Sequence, residues 1–264
     1  MQRQRLDVAV AATGSMSRER ARAIILEGGV RVDGIVQRSV AFHVSPHAVL
    51  DIKDDRRYVG RGGLKLERAL VAFAWRVDGL RCLDVGASTG GFTDCLLQHG
   101  ARSVTAVDVG YGHLAWKLRQ DPRVTVFERT NFRTVEVEAL GVPFEFAVID
   151  VSFISLTKLA TRLRAALVNG GKLVALVKPQ FEAGRGAVER GGVVRDREVQ
   201  MHVLVDVIGA LCAAGLGCVQ LTHSPLKGPA GNLEFLVGAI ADASETPQLD
   251  VAGVVERAHE ALDP

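Results

Sequence analysis

The chain has 264 residues, 48% of them hydrophobic, and a formal net charge of +2. That length accommodates one large domain or two smaller ones, and the apolar content excludes a disordered chain. The longest apolar runs, KLVALVKP and VLVDVIGALCAAG, are too short or too interrupted to span a bilayer, and the N-terminus lacks a signal-peptide core, so a cytoplasmic protein is expected.

In chain order, the first sixty residues stand apart. They hold ten Lys/Arg against seven Asp/Glu, a net of +3 that leaves −1 for the remainder. The stretch MSRERARAIILEGG predicts a short amphipathic helix, with Ser17 as N-cap and Gly28-Gly29 as its end. VRVDGIVQRSV then alternates apolar and polar residues about Asp33-Gly34, a hairpin signal. Arg18 and Arg22 share a helical face, and Arg31 follows on the hairpin. With Arg3, Arg5 and Arg20 they are candidate RNA contacts, since structured RNA is held largely through phosphates and 2′-hydroxyls. A solvated helix face is the alternative. IKDDRRYVGRGG is charged and glycine-rich and reads as a linker. The expected division is a domain over 1–54, a linker over 55–62 and a second domain over 63–264.

From Cys82 onward strand and helix patterns alternate. Strands are predicted at 81–86, 103–108, 124–128, 145–150, 172–178, 216–223 and 234–240. Helices are predicted near 90–99, 112–119, 156–167 and 196–214. Strands rich in Val, Leu and Ile, alternating with helices, imply a mostly parallel sheet covered on both faces. Asn169-Gly170-Gly171 is expected at a helix end. Cys82, Cys95, Cys212 and Cys218 show neither paired spacing nor nearby histidines, so no metal or disulfide framework is expected.

The first strand runs into CLDVGASTGGFTD. Ser88 stands where a dinucleotide fingerprint would need glycine, but a tight turn aimed at a ligand remains. Asp108, 22 residues after Gly86, suits ribose hydroxyls. An adenosine-type methyl donor fits these residues, with its ammonium near Asp84; NAD is the alternative. Asp84, Gly86, Ser88, Gly90, Gly91, Phe92 and Asp108 are the candidate cofactor contacts.

Four further polar residues sit at element ends. Asp150 and Lys178 close apolar strands, at the edge where open α/β sheets bind ligands. Glu234 opens the last strand, and Lys65 begins the helical stretch KLERALVAF. A structural ion pair between Asp150 and Lys178 is the competing explanation for those two.

These residues lie in stretches by which the chain resembles the TlyA family of S4-domain, FtsJ-like ribosomal RNA methyltransferases, historically labelled haemolysins. The matching stretches include SRERARAIILEGGVRVDG, GRGGLKLERAL, CLDVGASTGGFTD, VDVGYGHLAWKLR, ERTNFR, DVSFISL, LVKPQFEAGRG, GGVVRD and GNLEF. The resemblance implies an S4 RNA-binding module and a Rossmann-like, seven-stranded methyltransferase domain with one antiparallel strand. It also implies S-adenosylmethionine as cofactor and a catalytic Lys65-Asp150-Lys178-Glu234 tetrad. The implied acceptor is a cytidine ribose 2′-hydroxyl in ribosomal RNA, with Lys178 as base, Asp150 holding it in line and Glu234 completing the network. Thr89 replaces a proline that relatives outside the family often carry in the cofactor loop. Two alternatives are a ribosome-associated RNA-binding factor without catalysis and a membrane-active haemolysin.

Overall fold

A computed structural model describes residues 3–14, 16, 18–53, 57–189, 191–243 and 246–262. The chain divides into two compact units, Met1–Arg56 and Arg57–Pro264.

In the first unit, β1 (Gln4–Arg5) leads into α1 (Leu6–Thr13) and α2 (Arg18–Glu27). Four short strands follow: β2 (Val30–Val32), β3 (Ile35–Val36), β4 (His43–Val44) and β5 (Leu50–Ile52). The hairpin read around Asp33-Gly34 is present, with Val32 opposite Ile35 and both turn residues at positive φ, +50° and +82°. Helix α1 was not read from the sequence; its Leu6, Ala9 and Val10 pack on Ile24 and Ile25 of α2. The proposed N-cap, Ser17, lies outside the described residues.

The second unit begins with a correction. Tyr58, in the stretch read as linker, is 2% exposed and belongs to the core of this unit. Its ring lies so close over Gly63 that a Cβ there would come within 2.2 Å. A bulky aromatic directly after a charged pair is anchored by this packing, which local composition does not reveal.

The remaining elements are α3 (Gly62–Ala72), β6 (Arg81–Val85), α4 (Gly91–Gln98), β7 (Ser103–Val107), α5 (Trp116–Arg119), β8 (Val124–Phe127), β9 (Phe144–Ile149), α6 (Ala160–Ala166), β10 (Leu167–Val177), α7 (Pro179–Glu182), α8 (Arg197–Ala213), β11 (Leu216–His223), β12 (Phe235–Ala241) and α9 (Val251–Leu262). Seven strands form one sheet in the order β8-β7-β6-β9-β10-β12-β11. Only β12 runs against its neighbours. Both faces are buried, which explains strands apolar at nearly every position. Leu83, Ala147 and Ala175 face the core under α6, α8 and α9, whereas Cys82, Phe146 and Val174 face the core under α3 and α4.

Three local expectations differ. Helix α5 spans only Trp116–Arg119 rather than 112–119, because Gly112 sits at φ +75° and Ala115 is extended, with ψ +136° and its N–H donated to the Thr89 carbonyl at 3.1 Å. Asn169-Gly170-Gly171 does not end a helix; it lies inside β10, where the pairing with β9 shifts between Leu167 and Lys172. Helix α9 was not anticipated.

Candidate active site

Strand register brings the polar residues together. Val85 pairs with Ile149 and Ala175 with Ile149, so Gly86 and Asp150 leave the sheet side by side. Val177 pairs with Phe235, which sets Lys178 next to Glu234 at the same edge. The antiparallel β12 is what allows its first residues to meet the last residues of β10.

A cavity of about 380 Å³ opens at this edge, within the size range of cofactor sites. Gly86, Ser88, Asp108 and Asp150 line it. Gly86 has φ +86°, and a Cβ there would sit 2.3 Å from the Asp150 carbonyl oxygen, so no other residue fits without moving that strand end. The Asp108 carboxylate is held by two backbone donors, Ser88 N–H at 2.7 Å and Gly110 N–H at 2.6 Å.

Asp84 lies behind the cavity wall, fully buried. Its Oδ2 accepts the Thr93 hydroxyl at 2.7 Å, and its Oδ1 has no partner. Burial, the dominant cause, pushes this carboxyl up to about 7. Gly90, Gly91 and Phe92, read as cofactor contacts, do not line the cavity. A Cβ on Gly90 would meet Leu118 at 2.3 Å, and one on Gly91 would meet the Gly63 nitrogen at 2.9 Å. Phe92 is a core residue. These three serve close packing of the loop against α5 and the start of α3.

Thr130 to Arg133, within the ERTNFR stretch, also line the cavity, a role the sequence pattern does not signal. The stretch follows β8 at the same edge as the cofactor loop, a placement visible once the strand order is known. Arg162 braces it by donating from Nε to the Phe132 carbonyl at 2.7 Å. Phe153 was also missed. It lines the cavity while 91% exposed, has φ +65° and packs in a tilted contact on Phe181, ring centroids 5.0 Å apart. A bulky side chain in that backbone region is strained, and such strain concentrates at functional sites.

Two ion pairs complete the edge. The Lys178 ammonium lies 2.5 Å from Asp150 Oδ1, without the alignment of a hydrogen bond, and donates to Ser152 Oγ at 3.1 Å. Lys65, in the first turns of α3, pairs with Glu234 Oε2, and both side chains are buried. Glu234 Oε1 has no partner. All four residues of the expected tetrad therefore fall into two pairs at one sheet edge. Two buried carboxylate oxygens, on Asp84 and Glu234, are left unpaired, an arrangement that folding alone does not favour.

In the first unit, the candidate RNA contacts divide. Arg5 and Arg18 both bind the buried carboxylate of Asp7, at 3.0 and 2.9 Å. The two guanidiniums hold that carboxyl well below the usual range. Arg31 donates to the Gly34 carbonyl at 3.2 Å, and Arg3 and Arg22 are exposed, while Arg20 is half-buried. Among the described residues no helix is long and apolar enough to cross a membrane.

Comparison with known proteins agrees with this architecture. Residues 58–240 match the FtsJ-like methyltransferase family and residues 4–50 the S4 domain. YqxC of Bacillus subtilis, labelled an rRNA methyltransferase, is 46% identical, covering 98% of this chain and 95% of its own. The 16S/23S rRNA (cytidine-2′-O)-methyltransferase TlyA of Mycobacterium tuberculosis is 42% identical over 98% of this chain and 97% of its own. A solved structure from Streptococcus thermophilus, labelled a hemolysin, superimposes with a TM-score of 0.78 at 41% identity, covering 100% of this chain and 98% of that one. The chain thus belongs to the FtsJ-like methyltransferases, as an S4-domain member of the TlyA family.

Proposed function

We propose that this methyltransferase uses S-adenosylmethionine to methylate the ribose 2′-hydroxyl of cytidine in ribosomal RNA. The observation that carries the reading is the meeting of Asp150, Lys178 and Glu234 at adjacent strand ends beside the cavity, with Lys65 on Glu234. The names of the TlyA relatives support the same acceptor.

The residues present fit the cofactor. Asp108 keeps free lone pairs for ribose hydroxyls while its two backbone donors hold it still. The unpaired Asp84 Oδ1 supplies negative potential behind Gly86, suited to an ammonium group. When bound, S-adenosylmethionine supplies a methyl carbon made electrophilic by its sulfonium.

A ribose hydroxyl is a poor nucleophile, so its proton must be taken as the new bond forms. Lys178, in its neutral form, is the base, and its oxygen partners Asp150 and Ser152 hold Nζ in one direction. Glu234 and Lys65 orient the acceptor ribose through the unpaired Glu234 Oε1. Phe153 offers an exposed ring on which the target base stacks. The arginines of the first unit supply phosphate contacts.

The test incubates the protein with labelled S-adenosylmethionine and, separately, unmodified small and large ribosomal subunits. Incorporated label at a site resistant to alkaline cleavage, absent with Lys178→Ala, supports the reading and identifies the subunit. Cofactor binding without transfer to either subunit would leave a ribosome-binding factor instead.

A further inference from the structure

Two of the sequence stretches, GGVVRD (191–196) and GNLEF (231–235), have no part in the reaction above beyond Glu234 itself. The structure ties them together immediately before that residue. Asn232 is 1% exposed, and both polar atoms of its side chain are bonded: Oδ1 accepts from Val194 N–H at 2.9 Å and Nδ2 donates to the Gly192 carbonyl at 2.8 Å. Its own carbonyl accepts from Gly228 N–H at 2.8 Å, and the Glu234 carbonyl accepts from Ser224 N–H at 2.8 Å. The loop carrying Glu234 is therefore closed on itself and clasped to the 192–194 segment.

The clasp continues outward. The Val194 carbonyl accepts Gln200 Nε2 at 2.8 Å, from the first turns of α8, and Gln200 Oε1 lies 3.0 Å from His259 Nε2. The Val194 carbonyl only accepts, so Gln200 turns its NH2 to it and its oxygen to His259, which therefore donates from Nε2. Gln200, Val194 and Asn232 are all buried, where a misdirected polar group is costly. His259 belongs to α9, which lies beyond the 58–240 region matched by the methyltransferase family.

We infer that Asn232, Gln200 and His259 are positioning residues for methyl transfer. They set the Glu234 carboxylate against Lys65, and they make the C-terminal helix part of the support of the active site. This rests on the proposed role of Glu234. A buried hydrogen-bonded chain of this kind holds one geometry, which is what a carboxylate with one open oxygen requires.

The experiment measures single-turnover methyl transfer on unmodified ribosomal subunits for Asn232→Ala, His259→Leu and His259→Gln, each alone and combined with Glu234→Gln, together with cofactor affinity and stoichiometry. The expected result is a rate about tenfold slower for Asn232→Ala, a smaller loss for His259→Leu, and recovery with His259→Gln, whose amide still donates. Cofactor stoichiometry stays at the wild-type value, and in the Glu234→Gln background each substitution adds less than about twofold. Full additivity in that background, or a rate that falls only in proportion to cofactor-binding sites, overturns the inference and indicates a merely structural network. A wild-type rate for Glu234→Gln refutes the role of Glu234 itself and the inference with it. Should Glu234→Gln abolish transfer, the ¹⁵Nζ signal of Lys65 decides: it moves in folded Asn232→Ala and His259→Leu if the inference holds, and an unmoved signal overturns it. His259→Leu keeps the test available if Asn232→Ala does not fold.

Discussion

The Lys178 ammonium reaches back across the ends of two parallel strands to lie 2.5 Å from Asp150 Oδ1, while its hydrogen bond goes to Ser152 Oγ at 3.1 Å. An ammonium carries three donors, so Lys178 is held between the carboxylate and the hydroxyl. Lys178→Ala is expected to slow methyl transfer by about 100-fold or more, the ordinary loss for a removed general base. Asp150→Asn keeps the shape and removes the charge, and its loss should be smaller. Cofactor affinity, measured by calorimetry, should stay within about threefold for Lys178→Ala. A large fall in that affinity would move Lys178 from the acceptor side to cofactor binding.

The Asp84 carboxyl, pushed up to about 7 by burial, keeps its proton in the folded protein over a range where the unfolded chain has lost it. The unfolded carboxyl titrates near pH 4, so this group's contribution to stability is full below about pH 4 and is lost as pH rises to about 7. A cation in the cavity favours the ionised form. S-adenosylmethionine binding should therefore release a proton and tighten between about pH 6 and 7.5. Calorimetry in two buffers of different ionisation enthalpy reads the release directly. Equal heats in both, or the same pH dependence in Asp84→Asn, would remove Asp84 from the linkage.

Gly90 caps α4 with φ +94°, and a Cβ there would lie 2.3 Å from Leu118 Cδ1 and 2.8 Å from Leu114 Cδ1. Gly90→Ala combines backbone strain with overpacking, a cost of about 2–4 kcal/mol. Urea unfolding followed by circular dichroism should show that loss in the second unit. Its cofactor affinity, measured where the variant is fully folded, should fall far less than that of Asp108→Ala, because Gly90 does not line the cavity. Equal losses would return Gly90 to the cofactor contacts.

Phe153 is exposed and strained, with only a tilted contact to Phe181, so its ring stabilises little in the unbound protein. Phe153→Ala should leave the melting temperature nearly unchanged and weaken productive RNA engagement by about 1–3 kcal/mol, the range for one base–aromatic stack. Methyl transfer at limiting RNA is the measurement. Loss of cofactor affinity instead would assign the ring to the cofactor.

Much of this was legible in one dimension. The strands of the second unit announce themselves as runs of Val, Leu and Ile because both faces of their sheet are covered. Asp108, Asp150 and Lys178 interrupt or end such runs, and a polar residue at the end of a buried strand is legible for that reason. The glycine loop was visible too, but not the division of labour within it. Gly86 faces the cavity and Gly90 packs on Leu118, a difference that depends on neighbours more than 25 positions away. Tyr58 hid in a charged stretch because its burial depends on α3 and α4, not on its own neighbours.

Composition and periodicity by themselves determined the class of fold, the basic N-terminal segment and the candidate polar residues, since each follows from local chemistry repeated at the spacing of a strand or helix. Tertiary structure alone decided the pairing. Lys65 meets Glu234 across 169 positions, and Asn232 reaches His259 only through Val194 and Gln200, because an antiparallel last strand begins at the edge where the others end. Residue identity sets what each group can do, but only the register of the sheet brings those groups within bonding distance.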